Sequence, residues 1–297
     1  ASGPGGLGHE AADALERGSP AAARQWLDCS KESVPATPTD SLGTPPFYVF
    51  NRTTDPPDPE RLKLAAAALL MSSDSVSARR SLVLARSSRP QKLSPEETEA
   101  AALMRAVAFV NAGMPDSAIA AIHELQRRHS GSQFLFGLEM KAYSDLKDIE
   151  GARTAAEAWL KRFPEDDIAL RQLLMISGLR KDVKDVLAYG NRLDALQKLT
   201  PMDLNNWAWY ELSCGALTDS TLGLINRSIY EGKTSTFAAL HTQSCIYAEL
   251  NRTREARDIL YQAMDEQGLD DPDGTCWYVL GRMAEQYGLP QAAREAY

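Results

Sequence analysis

Trp277-Tyr278-Val279-Leu280-Gly281, then Gly288-Leu289-Pro290-Gln291-Ala292-Ala293, then Tyr297: the reading of this stretch decides the fold. An aromatic residue opens a helix, and Leu-Gly follows it. A glycine then closes a turn. Pro290 starts the next helix, where its missing N–H would have had no partner in any case. Ala293 is small enough for two helices to cross closely over it. Tyr297 follows four residues later, on the same face of the second helix. The unit is a helix–turn–helix hairpin with a small residue at its crossing.

The same grammar recurs upstream. The unit around Ala152 has Phe136, Tyr143, Ala156, Trp159 and a closing Pro164. The unit around Ala256 has Leu240, Ser244, Tyr247, Asn251, Leu260 and Ala263, and that around Ala118 has Ala106, Phe109, Gly113, Ile122 and Leu125. Weaker units in phase centre on Ala78, Val186 and Gly223. The successive crossing residues Ala78, Ala118, Ala152, Val186, Gly223, Ala256 and Ala293 are 40, 34, 34, 37, 33 and 37 residues apart. Longer spacings coincide with short insertions such as Lys92–Pro95 and Asp270–Gly274. The pattern resembles the tetratricopeptide repeat, whose period is about 34 residues. That resemblance implies an all-α fold: a right-handed superhelical solenoid of about seven to eight helix–turn–helix repeats, each burying its apolar face on its neighbours.

Helix boundaries agree with this frame. Ser94-Pro95-Glu96-Glu97 supplies an N-cap, a proline in the first turn and a carboxylate three residues after the cap. Thr200-Pro201-Met202-Asp203 does the same. Pro115 starts another second helix, and Gly113, Gly178 and Gly288 are expected near turns that need left-handed backbone.

The N-terminal part departs from the repeat. Residues 1–30 are expected to hold one further hairpin over Glu10–Cys29, turning at Gly18-Ser19-Pro20 and crossing at Ala23. Residues 31–59 form a linker or arm, rich in Pro, Thr and Asp from Ser33 onward. It carries the apolar patch Phe47-Tyr48-Val49-Phe50. A Pro-rich stretch of this length is uncommon inside a compact domain. Four apolar residues in a row favour an arm pinned onto the solenoid. Tandem repeats then occupy residues 60–297, the last one truncated, since Tyr297 falls within a second helix. The Ala-Ser-Gly-Pro-Gly-Gly opening reads as flexible, and both ends suggest a part of a longer protein.

Composition bounds the function. Hydrophobic residues make up 44% and charged residues 24%, the balance of an ordinary globular chain. The net charge of −8, with basic clusters no larger than Arg79-Arg80 and Arg127-Arg128, argues against nucleic acid as a partner. No apolar stretch is long enough to span a bilayer. Four cysteines without a CxxC pair do not make a disulfide framework.

A wider resemblance rests on Arg24-Gln-Trp-Leu-Asp28, Pro45-Pro-Phe47, Ala239-Leu-His-Thr-Gln243, Glu255-Ala-Arg257 to Leu260, Gly268-Leu-Asp-Asp-Pro272 and Trp277 to Gly288. These stretches resemble the tetratricopeptide region of bacterial transglutaminase-like proteins that carry the domain of unknown function 3857. The resemblance implies a bacterial, exported protein and a non-catalytic module beside a cysteine-type enzyme. No catalytic residue of that family lies in this chain.

No catalytic constellation is legible. His9, His123, His129 and His241 stand in no nucleophile motif. His241 and Cys245, four apart, have a spacing that would suit two metal ligands; they read instead as a polar groove residue and a small packing residue. No metal or cofactor is expected. Cys214, Cys245 and Cys276 are each 31 residues apart but fall at different positions of their repeats. What remains is a binding scaffold for a protein or peptide partner, which could be the chain's own upstream domain. First helices of such repeats line the concave surface, where segments bind. Candidate binding residues there are Lys141, Arg171, Trp209, His241, Glu249, Tyr278, Arg282 and Gln286. Repeats that hold chaperone tails share a Lys and Asn carboxylate clamp. The comparable places here hold Arg171 and Met175, then Ala208 and Leu212, so that subtype is not expected.

Overall fold

The computed structural model describes residues 4–31, 45–52, 58–89, 92–233 and 236–297, and every regular element among them is an α-helix. The chain packs as two units, Ala1–Ala155 and Ala156–Tyr297. The first holds α1 (Pro4–Glu16), α2 (Pro20–Cys29), α3 (Pro46–Phe50), α4 (Pro59–Leu70), α5 (Ser75–Ser87), α6 (Pro95–Asn111), α7 (Pro115–Gln126) and α8 (Gln133–Leu146). The border falls within α9 (Ile149–Arg162). The second unit holds α10 (Asp167–Leu179), α11 (Val183–Ala195), α12 (Pro201–Ser213), α13 (Asp219–Gly232), α14 (Phe237–Glu249), α15 (Thr253–Gln267), α16 (Gly274–Gln286) and α17 (Pro290–Ala296).

These helices pair as hairpins of the tetratricopeptide kind, α3 standing apart. The reason is a buried stripe at positions i, i+4 and i+7, one face of a second helix. Ala118, Ile122 and Leu125 on α7 are fully buried, as are Ala256, Leu260 and Ala263 on α15. Ala23, Leu27 and Ser30 repeat the stripe at α2. Each buried leucine or isoleucine contributes about 1.5–3 kcal/mol. A hairpin without neighbours could not bury that stripe, so the repeat is what makes each unit stable.

The stripe corrects one assigned crossing. On α13 it consists of Thr221, Ile225 and Ser228, all buried, while Gly223 is exposed and a Cβ there would meet nothing. Thr221 therefore takes the crossing place, 35 residues from both Val186 and Ala256. The loop before α13 holds fewer inserted residues than the glycine suggested.

Caps fall where the residues demand. Ser94 N donates to Glu97 Oε2 at 2.7 Å and Glu97 N to Ser94 Oγ at 3.2 Å. Thr200 and Asp203 form the same box at 2.8 and 3.2 Å. Gly113 and Gly288 adopt φ of +68° and +70° at their turns. Gly178 does not. It lies inside α10 under the Tyr210 ring, where a Cβ would stand 2.3 Å from Tyr210 Cδ1, and Lys181 takes the left-handed place.

The N-terminal region also differs from expectation. The glycine-rich opening is helical from Pro4, so the first hairpin is longer than Glu10–Cys29. Gly8 is buried, and a Cβ there would stand 3.0 Å from Leu69 Cβ. The missing side chain lets α1 lie directly on α4. Of the Pro-rich stretch, residues 32–44 and 53–57 lie outside the described residues. Between them α3 buries Phe47, Val49 and Phe50 against α4 and α6, in one cluster with Leu27, Leu62 and Met104. Tyr48 turns outward and donates its hydroxyl to Lys31 O at 2.8 Å.

A deeply buried carboxyl group sits in the second unit's interior. Glu211 of α12 is buried at the hairpin crossing and accepts from Thr221 Oγ1 at 2.6 Å. Burial raises its pKa, against the lowering effect of the Thr221 hydroxyl. The folded state therefore holds the proton more tightly than the unfolded state. Its stabilising contribution is complete below the unfolded carboxyl pKa and is lost as pH rises through the folded one. Glu211→Gln keeps an acceptor for Thr221 and removes the buried charge. We expect a higher melting temperature than the parent at pH 7, with the gap closing toward pH 4. Thermal melts followed by circular dichroism across that range check it.

Candidate functional site

In the second unit the first helices α10, α12, α14 and α16 lie side by side, each touching the next. Their N-caps are Asp166, Thr200, Thr236 and Asp273. Counted from the cap, the second, fifth, ninth and thirteenth residues of a helix fall within an arc of about 80°. On α10 they are Ile168, Arg171, Met175 and Leu179. On α12 they are Met202, Asn205, Trp209 and Ser213. On α14 they are Ala238, His241, Cys245 and Glu249, and on α16 Thr275, Tyr278, Arg282 and Gln286. Seven of the eight residues singled out from sequence lie in this stripe. The eighth, Lys141, belongs to α8, where it pairs with Asp145 on its own helix at 3.0 Å.

The stripe has two characters. Over α10 and α12 it is apolar: Ile168, Met175, Leu179, Met202 and Trp209 are 40, 37, 61, 70 and 40% exposed. Large apolar side chains in one exposed patch mark a binding surface more often than singly scattered ones do. Arg171 crosses this patch but is committed. Its Nε donates to Asp203 Oδ2 at 2.9 Å, its Nη2 to Lys198 O at 2.5 Å, and Nη1 to Asp167.

Over α14 and α16 the stripe is polar and internally bonded. Glu249 accepts from Tyr278 Oη at 2.5 Å and from Arg282 Nε at 2.6 Å. Arg282 also pairs with Glu285. Burial and the Glu249 carboxylate together hold the Tyr278 phenol above its ordinary pKa. Gln286 donates to Ala248 O and accepts from Thr253 Oγ1, both at 2.5 Å.

His241 joins the two halves. Its ring stacks on Phe237, centroids 5.6 Å apart, and lies 6.1 Å from the Trp209 ring. His241 Nε2 stands 3.1 Å from Thr275 O. A carbonyl only accepts, so this nitrogen carries the proton. His241 is buried rather than lining open space, and Cys245 beneath it is fully buried. Burial pushes the Cys245 thiol up to about 12 and the Cys276 thiol up to about 11. Both are packing thiols in one cluster with Leu260 and Val279, not thiolate nucleophiles. Cys214, at the C-cap of α12, stands outside that cluster.

The stripe residues missed from sequence are the apolar Ile168, Leu179, Met202 and Ala238 and the polar Asn205, Ser213 and Thr275. The apolar types read as core, and only their place in the cap-to-cap frame would have set them on the open face. An open cavity of about 670 Å³ lies at the starts of α12 and α14, lined by Pro201, Met202, Asn205, Ser228, Ala238 and Ala239 among others. Among the described residues no cluster of three or more His, Cys, Asp or Glu could hold a metal ion. No described helix is long and apolar enough to cross a membrane.

No protein-family model matches the chain, and no curated protein is similar to it. Solved structures are similar in part. A tetratricopeptide repeat protein from Parabacteroides merdae ATCC 43184 aligns over 98% of this chain and 89% of its own, at 13% identity and a TM-score of 0.49. A chain of the APC/C hetero-tetramer Cut9–Hcn1 aligns over 80% of this chain and 45% of its own, at 13% identity and a TM-score of 0.48. Likeness at this level adds nothing to what the chain's own hairpins show. The transglutaminase-associated resemblance has no counterpart in these matches.

Proposed function

We propose that this chain is a protein-interaction scaffold, and that it holds a polypeptide segment along the first-helix face of residues 156–297. The observation that carries the reading is the apolar stripe of α10 and α12. Five large apolar side chains are left to water there, in the same helical register. Covering them returns about 25 cal/mol for each Å² removed from water. Trp209 is the natural anchor, since it presents a large amphipathic surface at little entropic cost. The reading extends to an attached partner. As a non-catalytic module beside a transglutaminase-like domain, the chain would offer the same face to its own upstream domain.

The test is selection of random 12-residue peptides displayed on phage against the immobilised chain. Enriched peptides are expected to lose about tenfold or more in affinity for Trp209→Ala. No enrichment, or equal binding to the variant, would remove the scaffold reading.

A further inference from the structure

We infer that the cavity at the starts of α12 and α14 takes a bulky neutral side chain of the bound segment, and that this face selects apolar, uncharged sequence. The inference rests on the scaffold reading and adds the partner's chemistry to it. Three observations carry it.

The first is the state of the charges. Both arginines of the stripe are closed: Arg171 by Asp167 and Asp203, Arg282 by Glu249 and Glu285. Glu249 is likewise filled by Arg282 and Tyr278. A partner carboxylate would have to displace a carboxylate already in place. A partner cation would have to do the same to Arg282. Either exchange desolvates a charge without adding a pair. The stripe therefore offers a charged residue no net gain.

The second is the state of the cavity wall. Its hydroxyls are bonded within the protein, those of Ser228 and Thr200 as donors and that of Thr236 as an acceptor. Ser228 Oγ donates to Pro201 O at 2.6 Å, Thr200 Oγ1 is held in the capping box, and Thr236 Oγ1 accepts from Ala239 N at 3.4 Å. What faces the opening is mostly Pro201, Met202, Ala238 and Ala239 carbon, with one open acceptor, Asn205 Oδ1, that a neutral donor such as an indole N–H could satisfy. A volume of about 670 Å³ lies within the range of about 300–1,000 Å³ usual for ligand sites.

The third is continuity. Met202 lines the cavity and also begins the stripe on α12, with Trp209 seven residues on. Seven residues of helix span about 10 Å. Two anchors that far apart on one surface suit successive side chains of a polypeptide better than one small molecule.

The experiment uses the full chain and the phage-selected peptides described above. Ala238→Trp fills the cavity from an exposed position, and Met202→Glu places a carboxylate at its rim, also exposed. Unchanged melting curves confirm that neither variant acts through folding. The expected result is peptides rich in Leu, Met, Phe or Trp and poor in Asp, Glu, Lys and Arg. Each variant should lower their affinity about tenfold or more. Peptides enriched in charge, or bound equally by Ala238→Trp, would overturn the inference while leaving the scaffold reading intact. A library that yields nothing defeats the scaffold reading itself, and the inference falls with it.

Discussion

Phe50→Ala is expected to cost about 3–5 kcal/mol of stability, the usual loss for a buried phenylalanine cut to alanine. Phe50 is among the largest fully buried side chains of the chain. It sits on α3, a helix of only five residues, with Pro59 starting α4 soon after. A five-residue helix has no stability of its own, because nucleation is not repaid within so few bonds. What holds α3 is chiefly Phe47, Val49 and Phe50 in the cluster shared with α1, α2, α4 and α6, beside the Tyr48 hydroxyl bonded to Lys31 O. Removing Phe50 leaves a cavity where those helices meet. Denaturant unfolding with a probe in residues 1–155 measures the loss. Amide exchange should accelerate first in α3 and α4. A loss below about 1 kcal/mol would mean that this helix is only laid on the surface.

Gly190→Ala is the second large effect. Gly190 lies on α11 at the stripe position held by Ile122 on α7 and Leu260 on α15. A Cβ there would stand 2.2 Å from Trp207 Cε2 and 2.6 Å from both Cδ2 and Cζ2. Trp207 is itself buried, so the indole has little room to retreat. Overpacking typically costs about 1–3 kcal/mol, and a ring wedged on three atoms belongs at the top of that range. Alanine favours helix over glycine by about 1 kcal/mol, so any net loss understates the clash. The double variant Gly190→Ala, Trp207→Leu should recover part of the loss if the clash is its cause. A double-mutant cycle by denaturant unfolding decides this.

Residue type and spacing were enough to read the hairpins. Ala118, Ile122 and Leu125, the capping boxes at Ser94 and Thr200, and the prolines opening α7 and α17 all lie where local chemistry puts them. Gly223 misled because a glycine looks like a crossing residue, while the true one, Thr221, is polar and is tolerated there through its bond to Glu211. Glu211 itself could not be read as buried. A carboxylate at a helix crossing has no signature apart from the neighbour that accepts it. Gly178 and Gly190 were similarly opaque. Each makes room for a ring from another helix, Tyr210 or Trp207, and that partner is set by packing, not by position in the chain.

The candidate face was legible in phase but not in depth. Helical spacing puts His241, Cys245 and Glu249 on one arc of α14, yet the first two are buried and the third is not. Which residues sink depends on how closely α16 lies on α14, and that is fixed by Cys276 and Val279 in the interior. The pairing of Glu249 with Tyr278 and Arg282 spans 29 and 33 residues, so it depends on the relative register of two helices.

The closed ion pairs on this face also govern how a partner arrives. The segment inferred above carries no charge, so the paired Arg171 and Arg282 do not draw it in from a distance. Encounter is then left to diffusion, at the roughly 10⁵–10⁶ M⁻¹s⁻¹ usual without steering. Added salt has little to screen between an uncharged segment and this face. If the face binds as proposed, selectivity there is a matter of dwell time: a segment that fills the cavity would leave slowly.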